Sequence, residues 1–165
     1  MRHPAPHSAA LAAGVAILLA PAAQAATGAA PVHVTIVQPL QMSTTQVMEF
    51  GTIAPPSEGT QTFRLDALSA TLEPGPGTGT ASGEAFLAEF AVTGDPDRAL
   101  DVQAEVTQDF ADPALSLGNL QVGGADAFDS GGQATVRIGG TLSVAAGATP
   151  ATHGDAVITV TVNYP

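Results

Sequence analysis

The stretch Leu100-Asp101-Val102-Gln103-Ala104-Glu105-Val106-Thr107 decides the fold. Apolar and polar residues alternate without a break, so one side chain in two points the same way, which is the period of a β-strand and not of a helix. One face is apolar and the other is charged or polar. That is the signature of a half-buried antiparallel strand, packed on one side and wet on the other. The same pattern closes the chain, where Ile158, Val160, Val162 and Tyr164 share one face and Val157, Thr159, Thr161 and Asn163 take the other.

Working outward, the alternation recurs. Phe86, Ala88, Phe90 and Val92 lie on one face of a run that stops at Gly94-Asp95-Pro96-Asp97, a turn sequence. Its nearness to the Leu100 run predicts a hairpin between the two. Phe63, Leu65 and Ala67 alternate with Thr62, Arg64 and Asp66, and a weaker strand is expected over residues 115–122. Ala134, Val136 and Ile138 share parity with Leu142 and Val144 across Gly139-Gly140, which predicts one bent strand. Toward the N-terminus, Val32, Val34 and Ile36 share a face in a first run expected to pair within its own domain. A second run covers residues 46–53 and ends at Pro55-Pro56. Residues 74–83, rich in proline and glycine, read as a loop. After residue 25 no window has a helical period. Seven or eight short strands predict an all-β chain, a single antiparallel immunoglobulin-like β-sandwich. A transmembrane barrel would need aromatic girdles at both interfaces, which six Phe and one Tyr cannot supply.

The first residues carry a different signal. Arg2 precedes the apolar run AALAAGVAILLA, Pro21 breaks it, and Ala23-Gln24-Ala25 places small residues where a signal peptidase reads. The run falls short of the ~20 residues that cross a bilayer. Residues 1–25 are therefore expected to be a secretory signal peptide cleaved between Ala25 and Ala26, residues 26–31 a flexible leader, and residues 32–165 the β-sandwich domain. The destination is the periplasm, the cell surface or the medium, and the mature chain is not expected to insert into a membrane.

Cysteine is absent, so neither a disulfide nor a thiolate site is available. All 15 acidic residues follow the leader, lysine is absent, and only Arg64, Arg98 and Arg137 offer positive charge there; loss of Arg2 takes the formal net charge from −11 to −12. Nucleic acid needs cationic contacts and is not an expected partner. Charge of this size keeps copies apart in solution.

The chemical inventory is sparse. His33 and His153 are the histidines beyond the leader, no G-x-S-x-G occurs, and zinc would need more ligands than two scattered histidines provide. Asp95, Asp97 and Asp101 cluster at one turn, Asp109 and Asp112 at another, and Asp126 and Asp129 in a glycine-bracketed loop. Calcium takes six to eight oxygens and remains an alternative, but no cluster has EF-hand spacing, and aspartate in turns ordinarily holds the local backbone. The expectation is no catalytic residue, no metal and no cofactor.

The segments VTIVQPLQM and MEFGTIAP (within residues 34–55), AEFAVTGDPDRAL (residues 88–100) and VRIGGTLSVAAGATPATHGDAVITVTVNY (residues 136–164) together resemble the bacterial family called domain of unknown function 4402. The resemblance implies an exported, immunoglobulin-like envelope protein and supplies no catalytic residues. The chain departs from the family where the approach to the last strand, often G-x-Y-x-G, reads Ala151-Thr152-His153-Gly154. A weaker resemblance links it to chaperone–usher pilus subunits, which also end on an alternating strand with a penultimate tyrosine and carry an apolar N-terminal extension. The expected function is a secreted, non-enzymatic structural or adhesive envelope protein. Alternatives are a pilus-like subunit assembling by donor-strand complementation and a calcium-dependent binding module. The candidate pairing edges are Val32, Val34, Ile36, Ile158, Val160, Val162 and Tyr164, and the expected partners are other envelope or pilus proteins.

Overall fold

A computed structural model describes residues 33–165. Among these residues the chain is all-β, without a helix, and every strand pair is antiparallel. Ten strands follow in order: β1 (Gln41–Gln46), β2 (Thr52–Ala54), β3 (Thr60–Leu65), β4 (Leu72–Pro74), β5 (Thr80–Ser82), β6 (Ala88–Thr93), β7 (Asp101–Gln108), β8 (Leu115–Gly124), β9 (Gln133–Ala145) and β10 (Val157–Asn163).

β9 organises the main sheet. Its first half, Gln133 to Ile138, pairs with β6, and β6 with β1; its second half, Gly140 to Ala145, pairs with β3, and β3 with β4. β8 follows the other edge of β9 along almost its full length. The single bent strand anticipated from parity is therefore present. At the bend, Gly118 faces Thr141 and Gln121 faces Gly139, so Asn119 and Leu120 stand against Gly140 alone. That two-against-one arrangement is a β-bulge, which adds local twist. Asn119 takes a φ of 45° there, a conformation asparagine tolerates better than most residues. Gly139 admits a close neighbour: a Cβ on it would lie 2.8 Å from Ala67 N and press on the Leu65 carbonyl.

The bend divides the apolar interior. Ala88, Phe90 and Val92 of β6, Ala134, Val136 and Ile138 of β9, Phe128 and Val160 form one buried cluster. Phe63, Leu142 and Val144 form the other, with Phe50, Ile53, Leu72 and Ala81 packed against it. The second cluster is lidded in part by the short β2–β5 ribbon, where Ile53 faces Ala81. The first is covered by the two-stranded β7–β10 sheet, whose inward Val102, Ala104, Ile158 and Val162 are half-buried.

Three expectations need correction. The β6–β7 hairpin does not form. Both edges of β6 are already taken, by β1 and β9, so no edge is left for β7, which pairs with β10 instead. The connection crosses between layers and is held by residues 126–132: Gly94 N donates to Gly132 O, Leu100 N to Asp126 O, and Phe128 N to Arg98 O. Second, the first strand begins at Gln41. His33 through Leu40 form no strand, and Val34 and Ile36 are 80% and 87% exposed. Third, the loop expected over residues 74–83 contains β5 and the end of β4. Ala25, Ala26 and Val32 lie outside the described residues.

Gln61 is the one buried polar side chain of the described core, 2% exposed. Its Nε2 donates to the carbonyls of Gly75 and Gly79, and its Oε1 accepts from Gly79 N. A buried amide costs little only when its hydrogen-bonding capacity is met. Here it is met by the glycine loop, which Gln61 thereby fixes against β3.

Candidate functional site

The terminal strand brings most of the predicted edge residues together. In β10, Val160 is buried, Ile158 and Val162 are half-buried, and Val157, Thr159, Thr161 and Asn163 face outward; Tyr164, just beyond it, is half-buried. Among the described residues β10 pairs with β7 and with no other strand. β7 lies beside β8, so the unpaired edge of β10 is the one away from β8, toward β1. An unpaired strand edge presents a row of N–H and C=O groups that another strand can satisfy.

The opposite layer at this place is also uncovered. Met42 faces Val92 and Thr44 faces Phe90 across the β1–β6 ladder, so both side chains stand on the core side of the sheet. Yet Val92 is 1% exposed whereas Met42 is 44% exposed, and Thr44 is exposed too. A strand covered by a second layer would bury those positions. The two-stranded layer ends before it reaches β1. The vacancy has a wall, the outer edge of β10, and a floor, the inner face of β1.

Tyr164 closes one end. Its hydroxyl accepts from Asp95 N at 2.7 Å and donates to Gln38 O at 2.8 Å. Gln38 N in turn donates to Asp95 Oδ1 at 3.2 Å. The ring packs on Phe128 with centroids 6.0 Å apart, and the Arg98 guanidinium lies 5.2 Å over it, a cation–π distance. Gly94 makes room, because a Cβ there would lie 2.5 Å from Tyr164 Oη and 2.6 Å from Phe128 Cζ. One phenol thus joins the C-terminus, the β6–β7 crossover and the segment that leads into β1. The penultimate tyrosine was legible in the sequence; Gln38, Asp95, Met42 and Thr44 were not. A signal for the last two exists: in QMSTTQ Met42 is the one apolar residue, unusual for a strand beside a core.

Several of the clustered aspartates, and Asp155, hold backbone N–H groups. Asp112 accepts from Ala114 N and Thr149 N, Asp109 from Phe110 N and Leu117 N, Asp155 from Ala111 N, and Asp129 from Gly131 N and Gln133 N. The N–H groups of Thr149 and Ala114 hold the Asp112 carboxyl below its ordinary 3.8, with a smaller contribution from the charge of His153. Those of Ser69 and Leu68 do the same for Asp66, helped less by Arg64. Among the described residues no three ligating side chains converge. Before the last strand, His153 meets Phe110 edge-on, with ring centroids 6.5 Å apart. An open depression of about 710 Å³ is lined by Phe128, Asp129 and Arg137. Its two charged groups are engaged elsewhere, Asp129 as above and Arg137 by Glu89 at 2.7 Å.

A family model described as "Domain of unknown function (DUF4402)" matches residues 40–164. The chain belongs to that family. The match runs from Leu40, just before β1, to Tyr164, so the DUF4402 region takes in all ten strands and the closing phenol, while Val34 and Ile36 precede it. No curated protein and no solved structure matches the chain. Among the described residues no helix is long and apolar enough to cross a membrane.

Proposed function

We propose that this DUF4402 protein is an exported, non-enzymatic, immunoglobulin-like β-sandwich of the bacterial envelope, with a structural or adhesive role exercised through sheet edges. The observation that carries the reading is the short second layer, with β10 open on one side and the inner face of β1 uncovered beside it. An open edge of this kind recognises an extended segment through main-chain hydrogen bonds, while alternate side chains fill the groove. The sparse chemistry fits the same reading: Asp109, Asp112 and Asp129 hold local backbone, and Arg64, Arg98 and Arg137 serve Asp66, Tyr164 and Glu89. The signal-peptide pattern of residues 1–25 supplies the route out of the cell.

The test is expression of the full chain, with a C-terminal tag, in a bacterial host, followed by fractionation and N-terminal sequencing. The reading expects a polypeptide that begins at Ala26 and is found in the periplasm, at the surface or in the medium. An uncleaved chain confined to the cytosol overturns it.

A pilus-type subunit is the more specific form of this reading. The exposure of Val34 and Ile36, which were expected to pair within their own domain, favours it.

A further inference from the structure

We propose that residues 32–37 of one copy add as a strand to the outer edge of β10 in a second copy, filling the vacancy over β1. This rests on the reading of the chain as an edge-pairing envelope protein and names its partner.

Four observations meet here. The first is shape: the vacancy lacks one strand, being bounded by the free edge of β10 and the exposed inner positions Met42 and Thr44. The second is pattern: Val34 and Ile36 are exposed apolar side chains on one parity, a parity that Val32 continues in the sequence. That alternation suits a strand with one face on a core, as in β10 itself. The third is length. Six extended residues span ~20 Å, and the seven of β10 span ~23 Å, so the segment covers most of the edge. The fourth is charge. Every acidic residue from Glu49 onward belongs to the part of the chain after β1, and residues 26–48 contain none. The segment itself adds no negative charge at the contact, while the repulsion between the two attached acidic domains remains and makes the association stronger at higher salt.

The Gln38 clip gives the arrangement its direction. Bonding of Gln38 to Asp95 and Tyr164 anchors the chain just before β1. Pro39, which has no N–H, follows at once. The segment before the clip is thereby separated from β1 and does not continue its ladder. Each copy offers one donor segment and one vacancy, and these are two different patches of the chain. Where each copy's segment fills the vacancy of the next, the contact is heterologous and repeats into a ring or an open chain; mutual exchange between two copies gives a closed pair.

The experiment uses the exported chain purified from the host, with mass read by light scattering over a range of concentrations. Wild type is expected to form concentration-dependent oligomers. Val34→Asp with Ile36→Asp, at exposed positions that leave the domain intact by circular dichroism, is expected to remain a monomer. In parallel, Thr35→Cys chains are mixed with Thr159→Cys or Thr161→Cys chains; the native chain has no cysteine, so a disulfide-linked pair reports the contact directly. A linked pair in either mixture, lost when Val34→Asp and Ile36→Asp are added, supports the proposal. Wild type that stays monomeric and forms no mixed pair overturns it. So do oligomers that survive the double substitution, or a Thr35→Cys, Thr161→Cys double variant that links only within its own chain. An exported monomer would sink this inference while leaving the envelope reading in place; a cytosolic uncleaved chain would sink that reading alone.

Discussion

Replacing Tyr164 with phenylalanine removes one oxygen and keeps the ring. The loss falls on two hydrogen bonds, one accepted from Asp95 N at 2.7 Å and one donated to Gln38 O at 2.8 Å. The phenylalanine still packs on Phe128 and lies under Arg98, so the transfer and aromatic contributions are largely retained. The Asp95 N–H is part-buried and loses its acceptor, which costs about 1–2 kcal/mol; the Gln38 carbonyl is exposed and recovers water, so its loss is about 0.5 kcal/mol. The sum, about 1.5–2.5 kcal/mol, lowers the melting temperature of a domain this size by roughly 5–10 °C. Urea denaturation with an unchanged slope should give the same difference. Amide exchange adds a local readout, because the Asp95 N–H should lose protection more than any amide of β9. A Tyr164→Phe protein within about 0.3 kcal/mol of wild type, with Asp95 still protected, would refute the clip and the anchoring argument built on it.

Three further outcomes follow from the same geometry. Gln61→Leu strands the carbonyls of Gly75 and Gly79 and the Gly79 N–H away from water, and should cost about 2–4 kcal/mol by denaturant titration. Gly94→Ala pushes a methyl into Tyr164 and Phe128 and should cost about 1–3 kcal/mol, with a smaller effect in a Tyr164→Ala background, where space is released. Asp112 has a folded value held below 3.8, so its stabilisation is complete above that ordinary value and is lost as pH falls through the lowered one. The stability gap between wild type and Asp112→Asn should therefore be larger at pH ~5 than at pH ~2.

The strands that were legible from sequence are those long enough to show a period and apolar enough on one face to be forced inward. β3, β6, β7, β9 and β10 each have at least six residues with a buried or half-buried parity. The bend in β9 was legible because its parity crosses Gly139-Gly140 unchanged. β2, β4 and β5 have three residues each, too few for any alternation, and exist because neighbours pair them. β1 was missed because Met42 is its one apolar residue, so no apolar alternation marks an inner face. The predicted β6–β7 hairpin failed for a non-local reason: pairing is a competition for edges, and β9, some forty residues downstream, takes the edge that sequence proximity seemed to give β7. The site divided the same way. Tyr164 and the β10 parity stood out locally, whereas the vacancy over β1 is the absence of a layer, which no single run of residues can display.

The central claim is that the outer edge of β10 is open in the single chain and is closed by another copy. Amide hydrogen exchange along Ile158 to Val162, measured on the exported chain as a dilute monomer and again on concentrated material, tests it most directly. In the monomer, amides directed at β7 should be protected and the alternating ones, directed at the open edge, should exchange rapidly. On concentration the rapid set alone should slow, and Val34→Asp with Ile36→Asp should abolish that change. Uniform protection of all five amides in the dilute monomer would mean that the edge is already covered within the chain, and would contradict the account.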